Sequence, residues 1–172
     1  MRLKTLTHKL LLIAAFIVTL IAMHACNTSG CTDNQNALPL AGFYNSSDGK
    51  AISITDFDIQ GVDAPNDSLL YSANATLSEI YLPFRSTKSS TAYIFTYHAD
   101  SITTVSDRIE FTYSSEPYFA SEECGAMYYY RITDLDYTNR LIDSVVITDS
   151  LITNANAQRI KIYFRTEEPA EQ

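Results

Sequence analysis

The residues able to do chemistry in this chain are few. Cys26 and Cys31 lie five apart in LIAMHACNTSGC, residues 20–31, and the third cysteine, Cys124, lies far downstream. Such thiols can carry lipid, close a disulfide or hold a metal. The spacing argues against a metal: there is no C-x-x-C pair, and His98 is the single histidine after the apolar leader. The same scarcity removes most catalytic triads. His98 ends a strand-like run before Ala-Asp, so it reads as a surface residue. Asp56 with Asp58, and Asp134 with Asp136, stand at i, i+2, which places each pair on one side of a strand. These pairs are weak calcium candidates or a carboxylate couple for glycoside hydrolysis. On a chain with 20 acidic residues they read first as acidic loop edges. No EF-hand loop, phosphate loop or nucleophile elbow occurs. The expectation is a protein that is not an enzyme and takes no cofactor or resident metal.

Tyr128, Tyr129 and Tyr130, in MYYYRI, invite a carbohydrate-binding reading, because tyrosine faces stack on sugars. On a strand, Tyr128, Tyr130 and Ile132 share one side, and Met127, Tyr129 and Arg131 the other. One set is then expected in the core, with its hydroxyls reaching the rim.

The segment before the cysteines is a targeting signal. Arg2, Lys4 and Lys9 precede an apolar run over residues 10–23 that only Thr19 interrupts. The run is shorter than the ~20 residues that span a bilayer and fits the h-region of a signal peptide. Met23-His24-Ala25-Cys26 reads as a lipoprotein cleavage box, apolar at −3, small at −1 and Cys at +1, with His24 its weakest position. Lipid on Cys26 leaves Cys31 and Cys124 as an even pair in an oxidising compartment. The competing reading is an ordinary exported protein whose Cys26 is free or disulfide-bonded. A Cys31–Cys124 bond closes a loop of about 90 residues, worth roughly 4 to 5 kcal/mol by chain entropy. Residues 27–36 are polar and read as a tether, and the absence of acidic residues just after Cys26 points to the periplasmic leaflet.

The whole chain carries 12 basic and 20 acidic residues, a formal charge of −8. Loss of the leader removes three cations and no carboxylate, so the exported part is more acidic still. It would repel nucleic acid and anionic lipid. Membrane attachment through the N-terminal lipid, with an envelope protein or a glycan as partner, is the expectation.

The elements that must position these residues are strands. Tyr, Ile, Thr, Val and Phe are plentiful, Gly is scarce, and no convincing helical period appears. GFYNSSDG, residues 42–49, reads as a turn-rich opening. Ile52 and Ile54 have the opposite parity to Phe57 and Ile59, which a break near Asp56 would reconcile. Residues 69–73, 80–84 and 91–98 read as strands, with Pro83 marking an edge or strand end. DRIEFTYS, residues 107–114, alternates most cleanly, with Ile109, Phe111 and Tyr113 inward. Residues 125–133 and 141–147 follow. RIKIYF, residues 159–164, closes the domain with Ile160, Ile162 and Phe164 inward. Asp-Ser precedes an apolar run at Asp67, Asp100, Asp143 and Asp149, read as strand-start capping.

Eight or nine short strands result. The expected fold is all-β, an antiparallel β-sandwich with immunoglobulin-like or transthyretin-like Greek-key connections. The expected organisation is a lipoprotein-type signal peptide over 1–25, lipidated Cys and tether over 26–41, β-sandwich over 42–166 and flexible tail over 167–172.

SEECGAMYYYRI, the LIDSVVITDSLITNANAQRIKIYF close and the LPLAGFY opening at residues 38–44, with an early cysteine after a lipoprotein signal, resemble small uncharacterised lipoproteins of Bacteroidota that carry a domain of unknown function. The resemblance implies an exported β-domain of the cell envelope, anchored by lipid, with the outer membrane as the expected location, and it favours the Cys31–Cys124 pair. It implies no catalytic residue.

Overall fold

The computed structural model describes residues 36–98 and 104–165. The expectations placed on the leader, Cys26, Cys31, most of the tether and the tail lie outside the described residues. Within them are β1 (Leu40–Asn45), β2 (Phe57–Gly61), β3 (Leu69–Tyr71), β4 (Glu79–Tyr81), β5 (Ser90–His98), β6 (Thr104–Ser121), β7 (Gly125–Tyr137), β8 (Ile142–Ile147), β9 (Leu151–Ile152) and β10 (Gln158–Phe164). One 3-10 turn, Pro65–Asp67, precedes β3.

The strands form two sheets, ordered β4-β1-β10-β8 and β3-β2-β5-β6-β7-β9. This is the expected all-β sandwich. One pairing departs from an antiparallel pattern: β1 runs parallel to β10, Ala41 opposite Ile160 and Phe43 opposite Ile162. A parallel pair needs a crossover connection, and here almost the whole domain lies between the two strands.

The alternation seen in the sequence fills the space between the sheets. Ile109, Phe111 and Tyr113 from β6, and Ile160, Ile162 and Phe164 from β10, are buried. Phe43 and Phe164 from one sheet meet Phe57 from the other, with ring centroids of Phe164 5.3 Å from Phe43 and 5.6 Å from Phe57. Edge-to-face geometry at both contacts adds specificity to the burial of large apolar rings.

Residues 82–86 carry the chain from β4 in one sheet to β5 in the other, and tyrosine hydroxyls hold that crossing. Tyr93 donates to the Pro83 carbonyl at 2.5 Å, and Tyr130 to that of Phe84 at 3.4 Å. The Tyr113 hydroxyl accepts from the Arg85 N–H at 2.9 Å and lies 3.0 Å from the Arg85 carbonyl. Phe84 stacks flat on Tyr113 with centroids 4.2 Å apart. Buried backbone groups that would otherwise be orphaned thus find partners.

Three local expectations change. The first half of the opening over residues 42–49 belongs to strand β1, in which Ala41 and Phe43 are fully buried, and the turn comes only after Asn45. The same strand starts at Leu40, inside the expected tether. Asp143 lies within β8 and pairs with Arg165 at 2.9 Å rather than capping a strand start. Asp149 does cap, accepting from the Leu151 N–H at 2.9 Å. The break at Asp56 appears as a left-handed residue, φ 59°.

Candidate functional site: the free end of the β6–β7 hairpin

The ladder between β5 and β6 ends at Ser90 opposite Thr112, but β6 continues to Ser121. It continues because β7 accompanies it, from Tyr113 opposite Ile132 to Phe119 opposite Ala126. On the far side of β7, β9 pairs only with Tyr130 and Arg131. From Glu116 to Tyr129 the two strands have only each other as ladder partners among the described residues. Ser121 closes the turn by accepting the Cys124 N–H at 3.0 Å, and Gly125 takes φ 71°, a left-handed conformation that favours glycine.

Residues directly opposite each other share a face. Pro117, Phe119, Ala126 and Tyr128 therefore occupy one face of this end, and Glu116, Tyr118, Met127 and Tyr129 the other. Phe119 is 64 % exposed, Tyr128 45 % and Tyr118 42 %. Aromatic surface is thus open on both faces. Glu116, Glu122 and Glu123 are exposed alongside it.

The tyrosine triplet separates as its alternation requires. Tyr130 is core, edge-on to Phe84 at 5.6 Å and to Tyr113 at 5.4 Å. Burial, then the neighbouring Tyr113 and Tyr128, push its hydroxyl pKa up, so it stays a neutral donor. Tyr129 is half-buried, stacked on Tyr118 at 4.3 Å, with its hydroxyl 2.9 Å from Asn154 Oδ1. Tyr128 faces out. The three do not form one stacking platform.

The carboxylate pairs are engaged in the fold. Asp58 accepts the Ala73 N–H at 2.7 Å and lies 2.8 Å from His98 Nε2. His98 is therefore part of a clasp joining β5, β2 and the chain after β3, not an isolated surface ring. Asp56 precedes β2 in a left-handed conformation, so it does not share a strand face with Asp58. Asp134 caps the N–H of Leu135 at 2.9 Å, and Asp136 lies opposite Glu110 on β6. Among the described residues no three His, Cys, Asp or Glu side chains gather to hold a metal.

Sequence reading passed over three features. Asp107 is a buried carboxylate that accepts from Thr138 Oγ1 at 2.6 Å and from the N–H groups of Arg140, Leu141 and Ile142 at 2.9, 2.7 and 3.0 Å. Burial pushes its pKa up, but Thr138 and these three N–H groups outweigh that and leave it lowered. A groove of about 380 Å³ beside the β2–β3 loop is lined by Pro65, Leu69, Leu70, Pro83 and Tyr93, with Arg85 at its side. That guanidinium is spent on the carbonyls of Val62 and Asp63. The third is the Tyr118-Phe119 pair, whose adjacency on a strand was the available signal.

The domain's entry lies beside the hairpin. Asn36, Ala37 and Leu38 line a hollow of about 290 Å³ together with Ala126, Met127 and Tyr128. Cys124 stands two residues before Ala126. The other two cysteines lie outside the described residues.

Residues 56–164 match a family described as "Family of unknown function (DUF6452)". No curated protein and no solved structure matches the chain.

Proposed function

We propose a role for this chain from its own residues, since it belongs to the DUF6452 family, whose function is unknown. It is a lipid-anchored, non-enzymatic domain of a bacterial cell envelope, of the Bacteroidota type, that binds or braces another envelope component. Cys26 carries the lipid, and Cys31 bonds Cys124. One observation carries this reading: Asn36, Ala37 and Leu38 lie against the part of β7 that follows Cys124. Asn36 is only five positions after Cys31, at most about 18 Å of chain, so the bond is within reach and leaves Cys26 as the odd thiol.

The described surface supports a role without catalysis. Asp107 is saturated by four donors, and Asp58 and His98 are spent on each other. Asp63 and Glu110 do line a hollow of about 120 Å³ with Arg85, Lys88 and Arg108, where Glu110 is paired with Arg108 at 2.7 Å. The glycan reading has less support, because Tyr118 and Tyr129 cover one another's faces and Tyr130 is buried.

The anchor is tested by labelling cells of the native host with a radiolabelled fatty acid and comparing wild type with the Cys26→Ala variant. The reading requires label and membrane pelleting in the first and neither in the second. Equal label in both, or none in either, would contradict it.

A further inference from the structure

Residues 36–38 and Asn154 border the end of the β6–β7 hairpin near Tyr128 and Tyr129, yet it displays Tyr118 on one face and Phe119 and Tyr128 on the other. A protein docking on a flat patch covers one face of a ribbon. Aromatic rings on both faces suit immersion in a medium, and Tyr is enriched where membrane meets water. The chain's own route favours the membrane as that medium. Asn36 is ten positions after Cys26, at most about 36 Å of chain, and lies beside Ala126 and Tyr128. A Cys31–Cys124 bond shortens the path further, leaving four residues between the lipid-bearing cysteine and the one bonded to the hairpin turn.

We propose that the end of the β6–β7 hairpin is a membrane-contact element, with Tyr118, Phe119 and Tyr128 entering the headgroup layer of the bilayer that holds the Cys26 lipid. The proposal rests on the lipid-anchor reading above. The lipid class follows from charge. Glu116, Glu122 and Glu123 are exposed at the same end with no cation among residues 114–130, so anionic headgroups are repelled. Phosphatidylethanolamine, which presents an ammonium group to these carboxylates, is the lipid that fits. The hairpin would hold the sandwich in a fixed pose over the membrane rather than at the end of a loose tether.

The chain has no tryptophan, so one substitution supplies a sole reporter. Three full-length lipoproteins, Phe119→Trp, Tyr118→Trp and Thr104→Trp, are purified from native membranes and reconstituted in phosphatidylethanolamine–phosphatidylcholine vesicles with brominated acyl chains. Thr104 is exposed and begins the strand that ends at the hairpin turn, so it reports from the far end. The proposal requires blue-shifted, bromine-quenched emission at positions 118 and 119 and neither effect at 104. Replacing phosphatidylethanolamine by phosphatidylglycerol should weaken the quenching.

Lipidated protein with no quenching at 118 and 119 overturns the membrane contact and leaves the anchor intact. Quenching on one face only overturns immersion. A blue shift without quenching, accompanied by self-association in sedimentation, makes this end an interface between copies and overturns the proposal. Intact mass of the same samples separates these failures from loss of the anchor, since an unlipidated mass overturns both readings.

Discussion

At the scale of single residues, Asp107 is a buried carboxylate whose oxygens are taken up by hydrogen bonds. Its carboxylate takes four donors and fixes the chain between β7 and β8. An Asp107→Asn substitution keeps one acceptor oxygen but points an amide N–H at donors, and should cost about 3 kcal/mol in denaturant unfolding. The pH dependence has a definite sign. The folded pKa of Asp107 is lowered, so its contribution is complete above the unfolded carboxylate value of about 4 and is lost as pH falls through the folded pKa. The stability gap between wild type and variant should therefore narrow on acidification below pH ~4; a gap constant with pH would show that the charge is not what counts. Neither role was legible locally. Asp107 opens a strand that reads well by alternation, and its donors lie some thirty residues downstream in a segment with no distinguishing motif. The tyrosine triplet was legible as far as alternation reaches. Parity separated Tyr129 from its neighbours, but which face was core depended on Phe84 and Tyr113 arriving from elsewhere.

At the scale of elements, the β6–β7 hairpin is where sequence and structure differ most. The clean alternation of residues 107–114 identified half of β6. The rest, SEPYFAS, carries Pro117 and polar residues that read as loop, with no clean alternation of apolar residues. Pro117 is tolerated because this stretch has a ladder partner on one side only, β7. Two substitutions separate the hairpin's shape from its surface. Gly125→Ala places a side chain at φ 71° in open space, so it should cost about 1 kcal/mol from backbone conformation alone. Phe119→Ser removes an exposed ring and should leave unfolding free energy within about 0.5 kcal/mol of wild type. A loss of several kcal/mol in the second variant would mean that the ring is packed rather than displayed.

At the scale of the whole molecule, the fold class was legible and the wiring was not. Alternation at β6 and β10, few glycines and no helical period were sufficient for a sandwich, because each strand's burial is a local property. The parallel pairing of β1 with β10 depends on partners more than a hundred residues apart, about which local pattern is silent. The opening strand was missed for the same reason: Gly42 and the polar residues after it read as a turn until β10 and β4 flank them. Gly42 also leaves room for the Gln158 side chain, which donates to the Tyr44 hydroxyl at 2.7 Å. The disulfide belongs to this scale. If Cys31 bonds Cys124, the Cys124→Ser variant should lose about 4 kcal/mol, the chain-entropy contribution of a loop of about 90 residues. Chemical denaturation of wild type with and without reductant measures the same quantity, and equal midpoints would exclude the bond.

The most direct measurement is the intact mass of the protein purified from its native membrane, taken after alkylation with and without prior reduction. The account predicts a chain that begins at Cys26 and carries diacylglycerol and a fatty acid, with two alkylatable thiols appearing only after reduction. A chain without lipid, or a bond between Cys26 and Cys31, would contradict it.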